Sequence, residues 1–494
     1  MEAFLHPLQG LAEFEEIKKR CGANCGILNV SGCMESQKVH LMYGLSGLFP
    51  YHLILADDER NAKEIYEDYR FYDKNVYFYP AKDLLFFQAD IHGNLLIRQR
   101  MRVIRALLEQ EEVTVVTSID GCMDFLMPLE KIRSRLLHFK SDSVIDLDQL
   151  KEELVELGYE RTGQVELPGQ FSVRGGIIDI YPLTEDNPWR IELWDDEVDS
   201  IRSFDAESQR SLENVDEITI YPAAEKMDGE DMVSFLDYFP EEKTLVFLDE
   251  LNHLAENGEG VEEEYRQSRM HREEKGEANL PEQWLCGFQE LQKKLNRRNC
   301  VAVSALSPRR SGWKINEEFD LTVKSVDSYN SSFELLVKDL LQYKSQGYRI
   351  ALLSGSRTRA ERLAKDLSEE GLNAFYSQDM DRIISPGEIM VVYGHARRGF
   401  QYPLIKFAVM TETDIFGKEQ KKRKKKKKYS GNRIQDFAEL SIGDLVVHEK
   451  HGLGIYRGIE KVEVDRVVKD YIKIEYRGGS NLYICLLYTS DAAD

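Results

Sequence analysis

No apolar run in this sequence is long enough to span a bilayer. The opening residues, MEAFLHPLQGLAEFEE, lack both a basic region and a continuous apolar core, so no secretory signal is expected. Cysteine is sparse and scattered. Of seven in 494 residues, Cys21 and Cys25 are the only close pair, and no second pair completes a zinc site, so no metal is expected. Positive charge is also short: 65 Lys and Arg against 87 Asp and Glu give 65 − 87 = −22, which argues against broad coating of nucleic acid by the bulk surface. These absences point to a reduced, cytoplasmic protein that does not engage membrane.

What is present fits a folded chain of several domains. Hydrophobic content is 42%, and 494 residues are too many for one core, so three to four domains are expected. The first region alternates strands with helices: 26–30, 52–56, 76–80 and 113–117 read as buried strands, with helices from about Glu35, through Tyr69, and over 95–108. That order predicts a parallel sheet covered by helices. The loop after the first strand has the frame of a phosphate-binding loop, Gly32-Cys33-Met34-Glu35-Ser36-Gln37-Lys38-Val39. Gly32 and Lys38 are in place. Gln37 stands where a second glycine should let the backbone wrap a phosphate, and Val39 stands where a hydroxyl should ligate magnesium. A loop that has lost its nucleotide is expected; chance placement of Gly and Lys is the alternative. Thr244 to Glu250 has the form of a magnesium-holding strand ending in Asp-Glu, a weak signal alone because Asp-Glu often caps a helix. No catalytic residues are assigned.

Residues 167–205 read as a small antiparallel sheet, LPGQFSVRGGIIDIYPLTEDNPWRIELWDDEVDSIRSFD. Charges on one face of such a sheet are ordinary. Arg174, Arg190 and Arg202, with Trp194, are compatible with an interface of forked guanidiniums beside an exposed aromatic. Periodicity alone explains them equally well as ordinary surface arginines. From 328 to 416 the pattern is a small α/β domain without a recognisable catalytic constellation. Residues 421–428, KKRKKKKK, are a self-repelling run that reads as a linker, a solvated spacer being favoured over a phosphate contact. From Leu440, short alternating strands with glycine turns predict a small bent β-barrel. His448 and His451 have no further ligands nearby and read as ordinary strand and loop histidines.

Two of these stretches carry a resemblance. Residues 167–205 resemble the inserted second domain shared by the nucleotide-excision-repair protein UvrB and the bacterial transcription-repair coupling factor Mfd, and residues 443–484 resemble the CarD-like RNA-polymerase-interacting domain of the coupling factors. The degenerate loop is similar to the UvrB-type module of that family, which lacks its ATP site. The resemblance implies an α/β multidomain chain: a degenerate helicase-like parallel α/β module (1–136 and 222–327), an inserted UvrA-binding antiparallel sheet domain (137–221), a small α/β domain (328–416), a Lys-rich linker (417–436) and a Tudor- or CarD-like β-barrel (437–484). It implies UvrA contacts at Arg174, Arg190, Trp194 and Arg202. It also implies a contact with the RNA polymerase β subunit along Tyr471, Ile472, Lys473 and Ile474, with the strand extending to Tyr476. UvrB's long aromatic hairpin has no counterpart of sufficient length between Pro80 and Leu95, so direct damage recognition is not expected.

Residues 485–494, CLLYTSDAAD, depart from the family and resemble a translated transposon-end adapter, so a truncated gene model with a non-native tail is expected. ATP and magnesium would then belong to motor domains outside this chain, which itself takes no cofactor and meets DNA mainly through that motor. A monomeric adaptor for transcription-coupled repair is the expected function. The alternatives are an active UvrB-like helicase, which Gln37 and Val39 oppose, and a stand-alone CarD-like regulator.

Overall fold

The computed structural model describes residues 1–22, 25–82, 94–223, 232–275, 285–308, 312–417, 443–448, 452–464, 467–475 and 481–485. It is a mixed α/β chain with one fully parallel sheet and several antiparallel or mixed ones. The shortened hairpin region, the Lys run, His451, Tyr476 and the tail from 486 lie outside the described residues.

The first module is a seven-stranded sheet in the order Ile315–Asp320, Ile27–Ser31, Cys300–Val303, Thr244–Asp249, Tyr51–Ala56, Val113–Ser118, Val76–Tyr79. Every neighbouring pair is parallel. A parallel sheet is covered on both faces, which is why these strands read as nearly continuous apolar runs. The two-residue period divides them. Leu53 and Leu55 face the core shared with the inserted domain, which includes Phe171, Ile178 and Ile191. Ile54 and Ala56 face the core shared with the small α/β domain, which includes Val392, Phe400 and Phe407. The helix Glu59–Tyr72 starts at Asp58, whose side chain accepts from Asn61 N at 2.6 Å.

The chain leaves this module and returns to it. Between, six strands form a sheet in the order Ser211–Val215, Glu197–Phe204, Trp189–Trp194, Ile177–Ile180, Gln170–Arg174, Glu160–Arg161. All pairs are antiparallel except the last. Trp194 and Glu197 close a two-residue turn in which Asp195 takes φ 61°. Leu150 and Leu154 of the helix Leu147–Glu156 join the same core. The charged stretch from Asn257 falls in the helix Leu251–Lys275.

The small α/β domain has the strand order Lys324–Ser325, Phe400–Tyr402, Phe407–Thr411, Arg349–Ser354, Glu388–Tyr393, Asn373–Tyr376. Its last four strands run parallel. Alternate residues again divide: Ile350 and Leu352 meet the domain's own helices, whereas Ala351 and Leu353 meet the first module.

The C-terminal unit, expected as a small bent β-barrel, is described as a four-stranded sheet. Its described strands, Leu445–His448, Gly452–Val464, Val467–Glu475 and Asn481–Cys485, form an antiparallel meander in chain order. A bulge between Tyr456 and Gly458 bends the long hairpin. Cys485, assigned above to the foreign tail, ends the last strand opposite Tyr471. Among the described residues, no helix is long and apolar enough to cross a membrane, and no cluster of His, Cys, Asp or Glu could hold a metal.

Candidate functional sites: a filled phosphate loop and an arginine-bearing sheet

A phosphate loop works by presenting free backbone N–H groups, and here those of Gly32, Cys33 and Met34 already have partners. Gly32 N donates to Ala305 O at 3.3 Å and Cys33 N to Ser304 O at 3.1 Å. Met34 N donates to the side-chain oxygen of Gln37 at 3.0 Å. Gly32 itself is required by the backbone. Its φ is +76°, and a Cβ would lie 2.1 Å from Leu321 O. The lysine is satisfied too: Lys38 Nζ lies 2.7 Å from both Asp249 Oδ1 and Glu250 Oε1. Asn61 donates to the other Asp249 oxygen at 2.7 Å, and Ala305 N donates to Glu250 Oε1 at 2.8 Å. Burial opposes charge on Lys38, but the two carboxylates outweigh it and its pKa rises above the ordinary value. The structure therefore brings together the loop lysine and the Asp-Glu strand end, as an internal ion pair.

Gln37 and Val39 are both buried. Gln37 Nε2 donates to Tyr402 Oη at 3.0 Å, and that hydroxyl lies 3.1 Å from His40 Nδ1, while His40 Nε2 lies 3.0 Å from Phe4 O. The chain is satisfied when His40 carries its proton on Nε2 and Tyr402 donates to Nδ1. The residue that displaces the second glycine thus joins the loop to the small α/β domain. These residues fit ATP and magnesium poorly: the N–H groups of Gly32, Cys33 and Met34 have protein acceptors, the lysine has two anions, and the hydroxyl position is a buried Val39.

In the inserted sheet the arginines pair internally. Arg190 grips Asp179 with two bonds, Nε to Oδ1 at 2.6 Å and Nη2 to Oδ2 at 2.9 Å, and also donates to Gln209 at 3.1 Å. Its guanidinium lies over the Phe204 ring at 4.3 Å, and its side chain is only 13% exposed. Arg174 reaches the same Asp179 at 2.6 Å and remains 47% exposed. Arg202 pairs with Glu192, which lowers the Glu192 pKa below the carboxylate range. Cross-strand register explains the knot: Asp179 sits opposite Ser172 and Arg190, and Arg190 opposite Arg202. The resemblance implies a contact at Arg174, Arg190 and Arg202; each of them here pairs with a carboxylate of its own sheet, Arg190 with two bonds to Asp179. Asp179, its buried anchor, was missed because a single Asp in an apolar strand carries no signal without register. Trp194 is 80% exposed at the hairpin tip. Trp189, Ile191 and Leu193 face the core, so alternation puts Trp194 on the face of Arg190.

On the C-terminal sheet, Tyr471 to Glu475 pair with 455–460 on one side and 481–485 on the other, so this stretch is interior to the sheet and offers no free backbone edge. Lys473 is half-buried, whereas Ile474, expected at a contact, is buried along with Val446 and its cross-strand partner Tyr456. The side chains of Tyr471 and Ile472 lie outside the described residues.

A parallel α/β module whose phosphate-loop lysine is paired internally, an inserted antiparallel sheet and a C-terminal meander define a multidomain α/β chain. Comparison with known proteins makes this more specific. Residues 137–225 match the UvrB interaction domain, and residues 440–486 match the CarD-like/TRCF RID domain. The chain is similar to the transcription-repair-coupling factors: it is 29% identical to that of Bacillus subtilis (strain 168) over 92% of this chain. It is 28% identical to that of Staphylococcus epidermidis over 87%, and 26% identical to that of Staphylococcus aureus over 83%. It spans 45%, 42% and 40% of those relatives respectively, less than half of each.

Proposed function

We propose that this chain acts as the adaptor portion of a transcription-repair coupling factor, holding RNA polymerase through its C-terminal meander and recruiting UvrA through the inserted sheet. The observation that carries the reading is the presence of both matched domains in one chain. The first module serves as a frame, because its phosphate loop is closed by Lys38, Asp249 and Glu250. No cofactor is needed for the adaptor role; ATP, magnesium and most DNA contact are assigned to motor domains beyond these residues. A cytoplasmic monomer is consistent with this role.

Trp194 is the proposed anchor for UvrA. It is large, exposed and held on a sheet that the Arg190–Asp179 knot stiffens, so little ordering is required on binding. Trp194→Ala should weaken UvrA binding by about 2 kcal/mol in a calorimetric titration while leaving the melting temperature unchanged. Arg190→Ala should lower the melting temperature as well, because Asp179 loses its bidentate partner. Equal UvrA affinity for wild type and Trp194→Ala would remove this face as the contact.

For polymerase, Lys473 is a better probe than the buried Ile474. Lys473→Glu in the full chain should weaken capture of the β subunit without altering the far-ultraviolet spectrum. Capture equal to wild type would refute the assigned strand.

A further inference from the structure

Cys21 and Cys25, the close pair of the sequence, meet at one edge of the first sheet. Cys21 is the last residue of the helix Ala12–Cys21, and Cys25 lies two residues before the strand Ile27–Ser31. Arg20 Nε pairs with Glu317 at 3.3 Å, which lays the helix end against the edge strand Ile315–Asp320, the neighbour of Ile27–Ser31. Cys25 is fixed by its own backbone. Its N–H donates to Asn299 Oδ1 at 3.0 Å, and its carbonyl accepts from the side chain of Asn316. Its thiol donates to Gly26 O at 3.3 Å and shares a hydrogen bond with the Cys21 thiol. Cys21 is buried and Cys25 half-buried, and both are free thiols. Cys300 is near, since its N–H donates to Gly26 O at 2.9 Å, but its own buried thiol donates to Leu295 O at 3.3 Å.

We infer that Cys21 and Cys25 are a modification site, a dithiol that hydrogen peroxide converts reversibly to a disulfide. A sensor of this kind needs an accessible, acidic thiol with a second thiol beside it. Cys25 is the accessible one. The hydrogen bond from Cys21 holds its pKa below the ordinary thiol value, against the opposing effects of burial and the Glu317 carboxylate. The same bond, with burial, pushes Cys21 up, so Cys21 keeps its proton until it is needed. The Cys25 thiolate attacks one peroxide oxygen; the O–O bond breaks, an S–O bond forms, and the departing hydroxide is protonated to water. The Cys21 sulfur then displaces the hydroxyl from the Cys25 sulfenic acid. An S–S bond forms, the S–O bond breaks, and the thiol proton leaves with the hydroxide as water. Two thiols lose two electrons, and one peroxide becomes two waters. Excess small thiol restores the pair by exchange. Cys21 is the resolving residue rather than Cys300, because the Cys300 thiol points to Leu295 O.

The full reduced chain would be treated with hydrogen peroxide, denatured in iodoacetamide and mapped by mass spectrometry, so that each cysteine is read separately. A disulfide joining Cys21 to Cys25, reversed by dithiothreitol, is the expected result. Before oxidation, Cys25 should alkylate about tenfold faster than the buried Cys21 and Cys300. Cys21→Ser should leave Cys25 as a sulfenic acid that dimedone traps, with trapping several-fold above wild type. Cys25→Ser should leave Cys21 reduced at the same peroxide concentration. The wild-type map uses no variant, so the test does not depend on the serine chains folding. A Cys25–Cys300 disulfide, or a Cys25 that remains reduced while other cysteines oxidise, would overturn the inference. So would equal dimedone capture at Cys25 in wild type and Cys21→Ser.

Discussion

Lys38→Met should destabilise the first module by about 3–5 kcal/mol, the scale of removing one partner from a buried ion pair. The usual expectation for a phosphate-loop lysine is a loss of nucleotide affinity with little loss of fold. Here the lysine is buried against Asp249 and Glu250, and Asp249 retains only Asn61 once the ammonium is gone. Burial already pushes the Asp249 pKa upward against the pull of Lys38. In the variant it should rise further, so the loss should be smaller at low pH, where the carboxyl takes up a proton. Urea unfolding followed by fluorescence measures the loss, and Lys38→Met combined with Asp249→Leu should recover part of it because the more deeply buried of the two carboxylates is removed, leaving only Glu250, which still accepts from Ala305 N. Magnesium-ATP should add no stability to the wild type, since a ligand stabilises only what it binds. ATP turnover by the purified chain that vanishes with Lys38→Met would overturn the filled-loop reading, as would a variant as stable as wild type.

That ion pair also shows how far the sequence carries. The departures from the phosphate-loop frame were legible, because Gln37 and Val39 occupy positions whose requirements are local. What those side chains meet instead was not. Tyr402 and Phe4 lie hundreds of residues from Gln37 or in another element, and only the fold brings them together around His40. The strands Ile27–Ser31 and Thr244–Asp249 were legible as buried apolar runs. Ile315–Asp320, INEEFD, alternates in burial as an edge strand, and neither its parallel pairing with Ile27–Ser31 nor its place in the order follows from local periodicity. The arginines of the inserted sheet were visible, but their partners depend on register: Arg190 meets Asp179 across a strand pair, eleven residues away in sequence. The meander was legible as short strands with glycine turns. Whether such strands close a barrel depends on pairing between the first and last of them, a nonlocal contact that alternation does not encode.

Stability should fall steeply as pH drops from about 6.5 to 4, and two buried histidines should account for most of the slope in that window. His40 and His52 are both held down to about 4 from an ordinary 6.5, chiefly by burial. Between those values the unfolded chain binds protons that the folded chain refuses, so lowering pH favours unfolding. Each pH unit is worth about 1.4 kcal/mol per histidine, giving about 3 kcal/mol for each across the window and about 6–7 kcal/mol for the two. Above pH 6.5 both are neutral in either state and add no slope; below about 4 both are charged in either state and the slope ends. Asp68, Asp249 and Asp414 act in the opposite direction. Burial raises their pKa values, so they take up protons in the folded state first and stabilise it as pH falls through that range. Comparing each histidine variant with wild type at the same pH cancels their contribution and isolates that of the histidine. His40→Gln and His52→Gln should each lower stability at pH 7.5, where hydrogen bonds to Phe4, Tyr402 or Thr114 are disturbed. Each should also flatten the dependence between pH 6.5 and 4.5, which is the decisive reading. Urea midpoints at four pH values measure the slopes, and the ring resonances of both histidines should remain those of neutral imidazole at pH 5.5. Parallel slopes for wild type and the double variant, or a midpoint of titration near 6.5 for either ring, would reject this account.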